Sequence, residues 1–243
     1  MVRTFGATIG AGSLTPSQSP GWSQLIYATR GLLTVVVDRE LRFVPAHKAV
    51  WIPPRVSYSL ELATPVTLRS VYLAARVCRS LPRVCLTMNV SSFLREVILR
   101  TVRIGALHRT EPRERHLIAV LLDELGQMRG ESLQIPLPAD SRALRASEIL
   151  RREPGLGIGL SEIARRAGAG VRTLERLFRA ETGLTFGQWR QRMRVMHALR
   201  LLAHGRSVAE TAADAGYAST SAFIAVFRQE LGATPGKYFS RGP

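Results

Sequence analysis

Two stretches of the 243-residue chain repeat one another. Leu160-Ser161-Glu162-Ile163-Ala164-Arg165-Arg166-Ala167-Gly168 and Val208-Ala209-Glu210-Thr211-Ala212-Ala213-Asp214-Ala215-Gly216 each carry a central alanine and, four residues later, a glycine. Each leads into a second amphipathic stretch, with Leu174, Leu177 and Phe178 in one copy and Phe223, Val226 and Phe227 in the other. Those stretches end at Gly183 and Gly232. The pattern predicts a helix, a tight turn and a second helix, written twice.

The residue types have local reasons. Ala164 and Ala212 leave room for two helices to cross closely, and Gly168 and Gly216 can adopt the left-handed conformation that ends a helix. Ser207 and Glu210 have the spacing of a capping box, and Ser219 can cap the helix that follows it. Gly170 holds the equivalent place in the first copy. Between the copies, a continuous helix is expected from about Gly187 to His204. Trp189, Met193, Met196, Leu199, Leu202 and Ala203 form its apolar stripe, and Arg190, Arg192, Arg194 and Arg200 its other face. At 1.5 Å per residue this is a strut of roughly 27 Å, able to hold two helix-turn-helix units about one turn of DNA apart, roughly 34 Å.

The N-terminal half has another rhythm. Short β-prone runs occur at 25–28, 32–37, 41–44, 49–52, 58–62 and 66–74, separated by breakers such as Arg30-Gly31 and Pro53-Pro54, and predict a sandwich or small barrel. From Ser91 to about Arg129 the period is helical. Phe93, Leu94, Val97, Ile98, Thr101 and Val102 form one stripe, Leu117, Val120, Leu121, Glu124 and Leu125 another, and Pro112 suits a first helical turn. Gln134 to Asp140 reads as an extended linker. The fold class is therefore α+β: a β-rich domain with a helical segment over 1–133, a linker over 134–141 and an all-α domain over 142–243.

Thirty-four Lys+Arg against 18 Asp+Glu give a formal charge of +16, nearly all from arginine, which points to a polyanionic partner. Residues 141–243 hold 17 basic and 8 acidic side chains, a denser positive charge than the 17 and 10 of residues 1–140. Arginine enrichment also arises from coding bias, so charge by itself leaves nucleic acid and membrane surface both open. Cys78 and Cys85 fit no disulfide framework or zinc spacing. Met1 to Gly6 opens no long apolar run and no stretch of about 18 apolar residues occurs, so neither a signal peptide nor a spanning helix is expected, and a cytoplasmic location is.

The set Ala198-Leu199-Arg200-Leu201-Leu202-Ala203, Ser207 to Ala212, Gly216-Tyr217, Ser221-Ala222-Phe223, Phe227-Arg228 and Gly232 to Tyr238 resembles the signature of AraC/XylS transcription regulators. Leu174-Glu175-Arg176-Leu177-Phe178, Gly183 and Gln188-Trp189-Arg190 match the upstream half of that signature. The resemblance covers about residues 142–240 and implies sequence-specific binding of double-stranded DNA. On it, Arg172, Glu175 and Arg176 match base-reading positions of the first recognition helix: arginine can hold guanine O6 and N7, and glutamate can accept from cytosine N4. The matching second-unit positions are Thr220, Ser221, Ala222, Ile224 and Ala225, which offer hydroxyl and methyl contacts. Arg179, Arg190, Arg194, Arg228 and Lys237 are expected at phosphates.

The N-terminal half is similar to the cupin-type sensor arm of one subgroup, through Gln24 to Ala28, Ala49 to Pro53 and Arg69 to Leu73. That resemblance implies a small-molecule effector and a homodimer formed through the helices at 91–104 and 113–128. Related arms carry a His-x-His before the Gln-Leu-Ile-Tyr-Ala strand and a further histidine after Trp-Ile-Pro. Here the equivalents are Ser17, Ser19 and Tyr58, poor transition-metal ligands, and His47 cannot replace three of them, so no metal or other cofactor is expected. Trp22, Tyr27, Trp51, Tyr58 and Tyr72 are either core or pocket lining. A cupin-type enzyme, or an alkyl-acceptor protein using Cys78 or Cys85, is the alternative to a non-enzymatic regulator. A sequence-neutral DNA-compacting protein is a third reading.

Overall fold

The computed structural model describes residues 1–16, 21–46, 48–127, 130, 134–155 and 157–240; Ser17, Ser19 and His47 lie outside the described residues. In chain order the strands are β1 (Val2–Ile9), β2 (Gly12–Leu14), β3 (Trp22–Arg30), β4 (Leu32–Val37), β5 (Glu40–Pro45), β6 (Lys48–Ile52), β7 (Tyr58–Leu62), β8 (Val66–Ala74) and β9 (Leu86–Asn89). Then come α1 (Ser92–Ile104), β10 (Ala106–Leu107), α2 (Pro112–Gly126) and β11 (Gln134–Pro136). Helices follow: α3 (Ser141–Arg152), α4 (Leu160–Ala167), α5 (Val171–Thr182), α6 (Phe186–Ala203), α7 (Val208–Asp214), α8 (Thr220–Leu231) and α9 (Pro235–Ser240). The chain is thus α+β, with sheets first and helices last. It divides into two compact units, Met1–Asp38 with Arg42–Leu133, and Arg39–Leu41 with Gln134–Ser240.

In the first unit, six strands order as β10-β1-β8-β3-β6-β9, and a second sheet runs β5-β4-β7-β2. β3 pairs antiparallel with both β6 and β8, and both its faces are covered. Leu25 and Tyr27 face a core shared with Trp51, Val71 and the helices α1 and α2, while Ile26 and Ala28 face the other sheet, against Leu33, Val35 and Leu60. Burial on both faces explains why this strand reads as a continuous apolar run instead of an alternating one.

Several elements depart from the sequence expectation. β1, with the polar-looking sequence Val-Arg-Thr-Phe-Gly-Ala-Thr-Ile, is held by an eight-residue antiparallel register with β8, from Val2 opposite Leu73 to Ile9 opposite Val66. β2, β9 and β10 are likewise strands that local pattern did not mark. On α1, Phe93 is 57% exposed and the buried face is Leu94, Val97, Ile98 and Thr101. On α2 the buried stripe is Ile118, Leu121 and Leu125, while Val120 turns outward. These helices press their apolar faces on the six-stranded sheet.

The second unit begins with paired backbone. Gln134–Pro136 is a strand, and the Leu137 N–H donates to the Arg39 carbonyl oxygen at 2.7 Å. Pro136 and Pro138 favour extended backbone in themselves and in the residue before each, which suits an edge position. Asp140 then caps α3, a helix the sequence reading did not mark, by accepting from the Arg142 N–H at 2.9 Å.

Candidate nucleic-acid interface

Each repeat forms the expected pair of helices. α4 ends at Gly168 (φ 70°), and α5 begins three residues on, at Val171 after Gly170. α7 gives way to Gly216 (φ 77°), and α8 begins after Ser219, whose hydroxyl accepts from the Ala222 N–H. Such φ values put a Cβ against the neighbouring backbone, which is why glycine stands at both turns. The Ser207–Glu210 capping box is formed, with the serine hydroxyl taking the Glu210 N–H and the carboxylate taking the Ser207 N–H. Ala164 and Ala212 are both buried.

α6 joins the two units as an 18-residue helix, about 27 Å long at 1.5 Å per residue. Its start is a second capping box, Thr185 with Gln188, whose Thr-x-x-Gln spacing was legible but not singled out. The helix is not two-faced. Val195 and Ala198 are buried beside Trp189, Met193, Met196 and Leu199, because α6 packs against α3, α5, α7 and α8. Four neighbours leave little room for an exposed arginine face.

The proposed base-reading side chains remain outside. Arg172, Glu175 and Arg176 are exposed on α5, while Leu174, Leu177 and Phe178 are buried on its opposite side. None of the three forms an ion pair among the described residues. On α8, Ser221, Ala222 and Ala225 are exposed, Thr220 and Ile224 are half-buried, and Phe223 and Phe227 anchor the inner face.

The arginines expected at phosphates fall into two groups. Arg179, Arg228 and Lys237 are exposed. Arg190 and Arg194 are both half-buried. Arg190 donates to the Ile158 carbonyl oxygen at 2.8 Å, and burial followed by the Arg194 charge lowers its pKa. The Arg194 guanidinium lies 6.0 Å from the centre of the Tyr217 ring. Burial pushes the Tyr217 hydroxyl up to about 12, so the ring stays neutral beside that cation. Arg192 pairs with Glu230 at 3.3 Å, and Gln191 also donates to Glu230, tying α6 to α8. Side chains read as an outward face therefore brace the helix bundle.

A cleft of about 710 Å³ brings Arg176, Arg179 and Arg190 beside Thr185 and Phe186 at the start of α6. The positive end of a long helix adds to the field of three guanidiniums, against the one carboxylate of Glu175 on the same wall. This arrangement suits a phosphate, and the part played by the α6 start was missed in the sequence because it depends on how α5 and α6 meet. Among the described residues, no helix is long and apolar enough to cross a membrane.

A family model described as a helix-turn-helix domain matches residues 163–241. The HTH-type transcriptional regulator NimR of Escherichia coli strain K12 is 36% identical over 218 residues, 90% of this chain and 80% of NimR. The chain belongs to the AraC/XylS family of transcription regulators. The HTH-type transcriptional regulator RipA of Corynebacterium glutamicum is 39% identical over 103 residues, which are 42% of this chain and 31% of RipA. The solved DNA-binding domain of AdpA in complex with a target DNA is similar at 32% identity, covering 42% of this chain and 92% of that one, with a TM-score of 0.39. This AraC-family chain is a helix-turn-helix, DNA-binding regulator.

In the first unit, Tyr58 donates to Gln24 Oε1, and Gln24 Nε2 donates to Ser70 Oγ at 3.1 Å, all three residues buried. Burial raises the Tyr58 hydroxyl well above its ordinary pKa, so it is a neutral donor. The position equated with a metal-binding histidine thus holds a hydrogen-bonded phenol. Tyr27 and Trp51 are core residues, and Trp22 lies under the Arg3 guanidinium at 5.1 Å. Cys78 and Cys85 are buried, and neither is in a disulfide among the described residues.

Proposed function

We propose that residues 142–240 read two neighbouring major-groove segments of double-stranded DNA, with α6 setting their spacing near one helical turn. Arg172, Glu175 and Arg176 meet base edges in the first segment; Thr220 and Ser221, with the methyl groups around them, make weaker contacts in the second. Arg179, Arg228 and Lys237 hold phosphates, and Arg190 takes part only from the inner wall of the cleft. The observation that carries this reading is the outward pair Arg172 and Arg176, neither in an ion pair among the described residues, on a helix whose other face is locked by Leu174 and Phe178. Arginine in that setting is free to make bidentate contacts with guanine.

Residues 1–133 serve in this reading as a cupin-like sensor arm that answers a small-molecule effector and forms a homodimer through α1 and α2, without metal, other cofactor or catalysis, in the cytoplasm. Selection of bound sequences from random duplexes, followed by footprinting, tests the DNA reading. The expected result is a consensus with two protected segments about 34 Å apart. Equal affinity for every duplex would mean sequence-neutral binding and overturn it.

A further inference from the structure

The positive charge of the first unit is concentrated in one part of its sequence. Residues 41–95 hold eight basic side chains and one acidic, while the rest of residues 1–140 hold nine of each. Arginine enrichment from coding bias alone would not leave the remainder balanced. Four of the eight, Arg55, Arg76, Arg79 and Arg83, are exposed on the Pro53-Pro54-Arg55 turn and the Ala75 to Arg83 loop. Arg55, Arg79 and Arg83 line one cavity of about 470 Å³, and no acidic side chain lines it. Among the described residues none of the four forms an ion pair.

The loop that carries three of them is fixed from inside. The Trp51 indole N–H donates to the Pro82 carbonyl oxygen at 2.8 Å, Ser23 Oγ pairs with Cys78 Sγ at 3.2 Å, and the Leu81 N–H donates to the Cys78 carbonyl oxygen at 3.1 Å. Cys78 and Leu81 are buried, and Trp51, which also lines the cavity, is 1% exposed. The loop thus turns its apolar side chains in and its guanidiniums out. Val84 is the one large apolar side chain exposed on this stretch among the described residues. A partner is therefore met by charge, without the pocketed aromatic or apolar anchors on which protein interfaces depend. Guanidinium forks match phosphate oxygens, and a DNA duplex presents them in a regular row, one charge per ~1.7 Å of its axis. We propose that Arg55, Arg76, Arg79 and Arg83 hold phosphodiesters of the DNA flanking the segments read by residues 142–240.

The proposal rests on the DNA reading above for where the protein binds, and adds a sequence-neutral contact made by the first unit. The full chain is titrated over a range of salt with the selected consensus alone and with the same consensus extended by about two helical turns on each side. The extended duplex should bind more tightly and with a steeper slope of log affinity against log salt. Arg79→Gln/Arg83→Gln should lower that slope by about two on the extended duplex and leave the short one as it was, with the thermal midpoint of the free protein unchanged. Arg30→Gln/Arg109→Gln removes the same charge from two exposed positions outside 41–95 and should leave both slopes nearly as they were. A slope that does not fall in the Arg79/Arg83 variant, that falls as far on the short duplex, or that falls equally in the Arg30/Arg109 variant overturns the proposal. So does binding to phosphatidylglycerol vesicles that the Arg79/Arg83 variant loses while keeping its DNA affinity, which would assign the loop to an anionic membrane surface. The selected consensus stands in each of those cases, so failure here is distinct from failure of the DNA reading.

Discussion

The guanidinium of Arg145 brackets the carbonyl oxygen of Ala167, with Nε at 3.0 Å and Nη2 at 2.8 Å. A cation from α3 thereby closes the C-terminal end of α4, where unpaired carbonyls and the negative end of the helix gather. The same turn holds Gly168, so the contact sets where α5 begins. Arg145→Ala should cost about 1 kcal/mol of stability, and denaturant unfolding of the full chain is the check. An unchanged midpoint would show that the contact does not brace the turn.

Gly155 leaves no room for a side chain. A Cβ there would sit 2.2 Å from the Asp214 carbonyl oxygen, which is backbone and cannot swing aside. Gly155→Ala should therefore destabilise the DNA-binding unit by roughly 1–3 kcal/mol and loosen α7 against the α3–α4 connection. Amide exchange resolved along the chain would place the loss, with faster exchange expected in 208–214.

Arg172→Ala should weaken binding to the selected site by about 1–3 kcal/mol and relax one base position, while random duplex is bound nearly as before. Equal losses on both would reassign Arg172 to the backbone.

Phosphate contacts have a different signature. Arg179→Ala and Arg228→Ala should each lower the slope of log affinity against log salt by about one, on any duplex. Arg194→Ala should leave that slope alone and instead reduce stability, because its charge is packed over Tyr217.

Asp140 provides a pH-dependent prediction. Its hydrogen bonds with Arg142 hold the carboxyl at about 2, below its usual 3.8. A depressed carboxylate pKa adds stability above the ordinary value, lost as pH falls through the folded one. Asp140→Asn should therefore flatten the stability profile between about pH 4 and pH 2, with carboxyl titration by NMR locating the group.

What was legible in the sequence was mainly local. Gly168, Gly216 and the Ser207–Glu210 box could be placed because a turn or cap depends on residues within about four positions. The family signature was legible for the same reason, its motifs being short and ordered. The Arg172 and Arg176 positions came from the family resemblance, and their neighbours Leu174 and Phe178 mark the buried side opposite them.

Long-range pairing was not legible. β1 was hidden because its own side chains are mixed, and what holds it is β8, more than fifty residues away. Arg190 and Arg194 looked like surface cations because an arginine on a helix gives no local sign of which neighbour covers it.

The sequence by itself determined the duplicated helix-turn-helix, its caps and the family, all set by contacts a few residues apart. Only the tertiary structure decided that Arg190 and Arg194 are half-buried, against Ile158 and Tyr217, while Arg172, Arg176 and Arg179 stay exposed. That depends on how α6 meets partners distant in sequence, and burial of a charge exists only once those partners have packed.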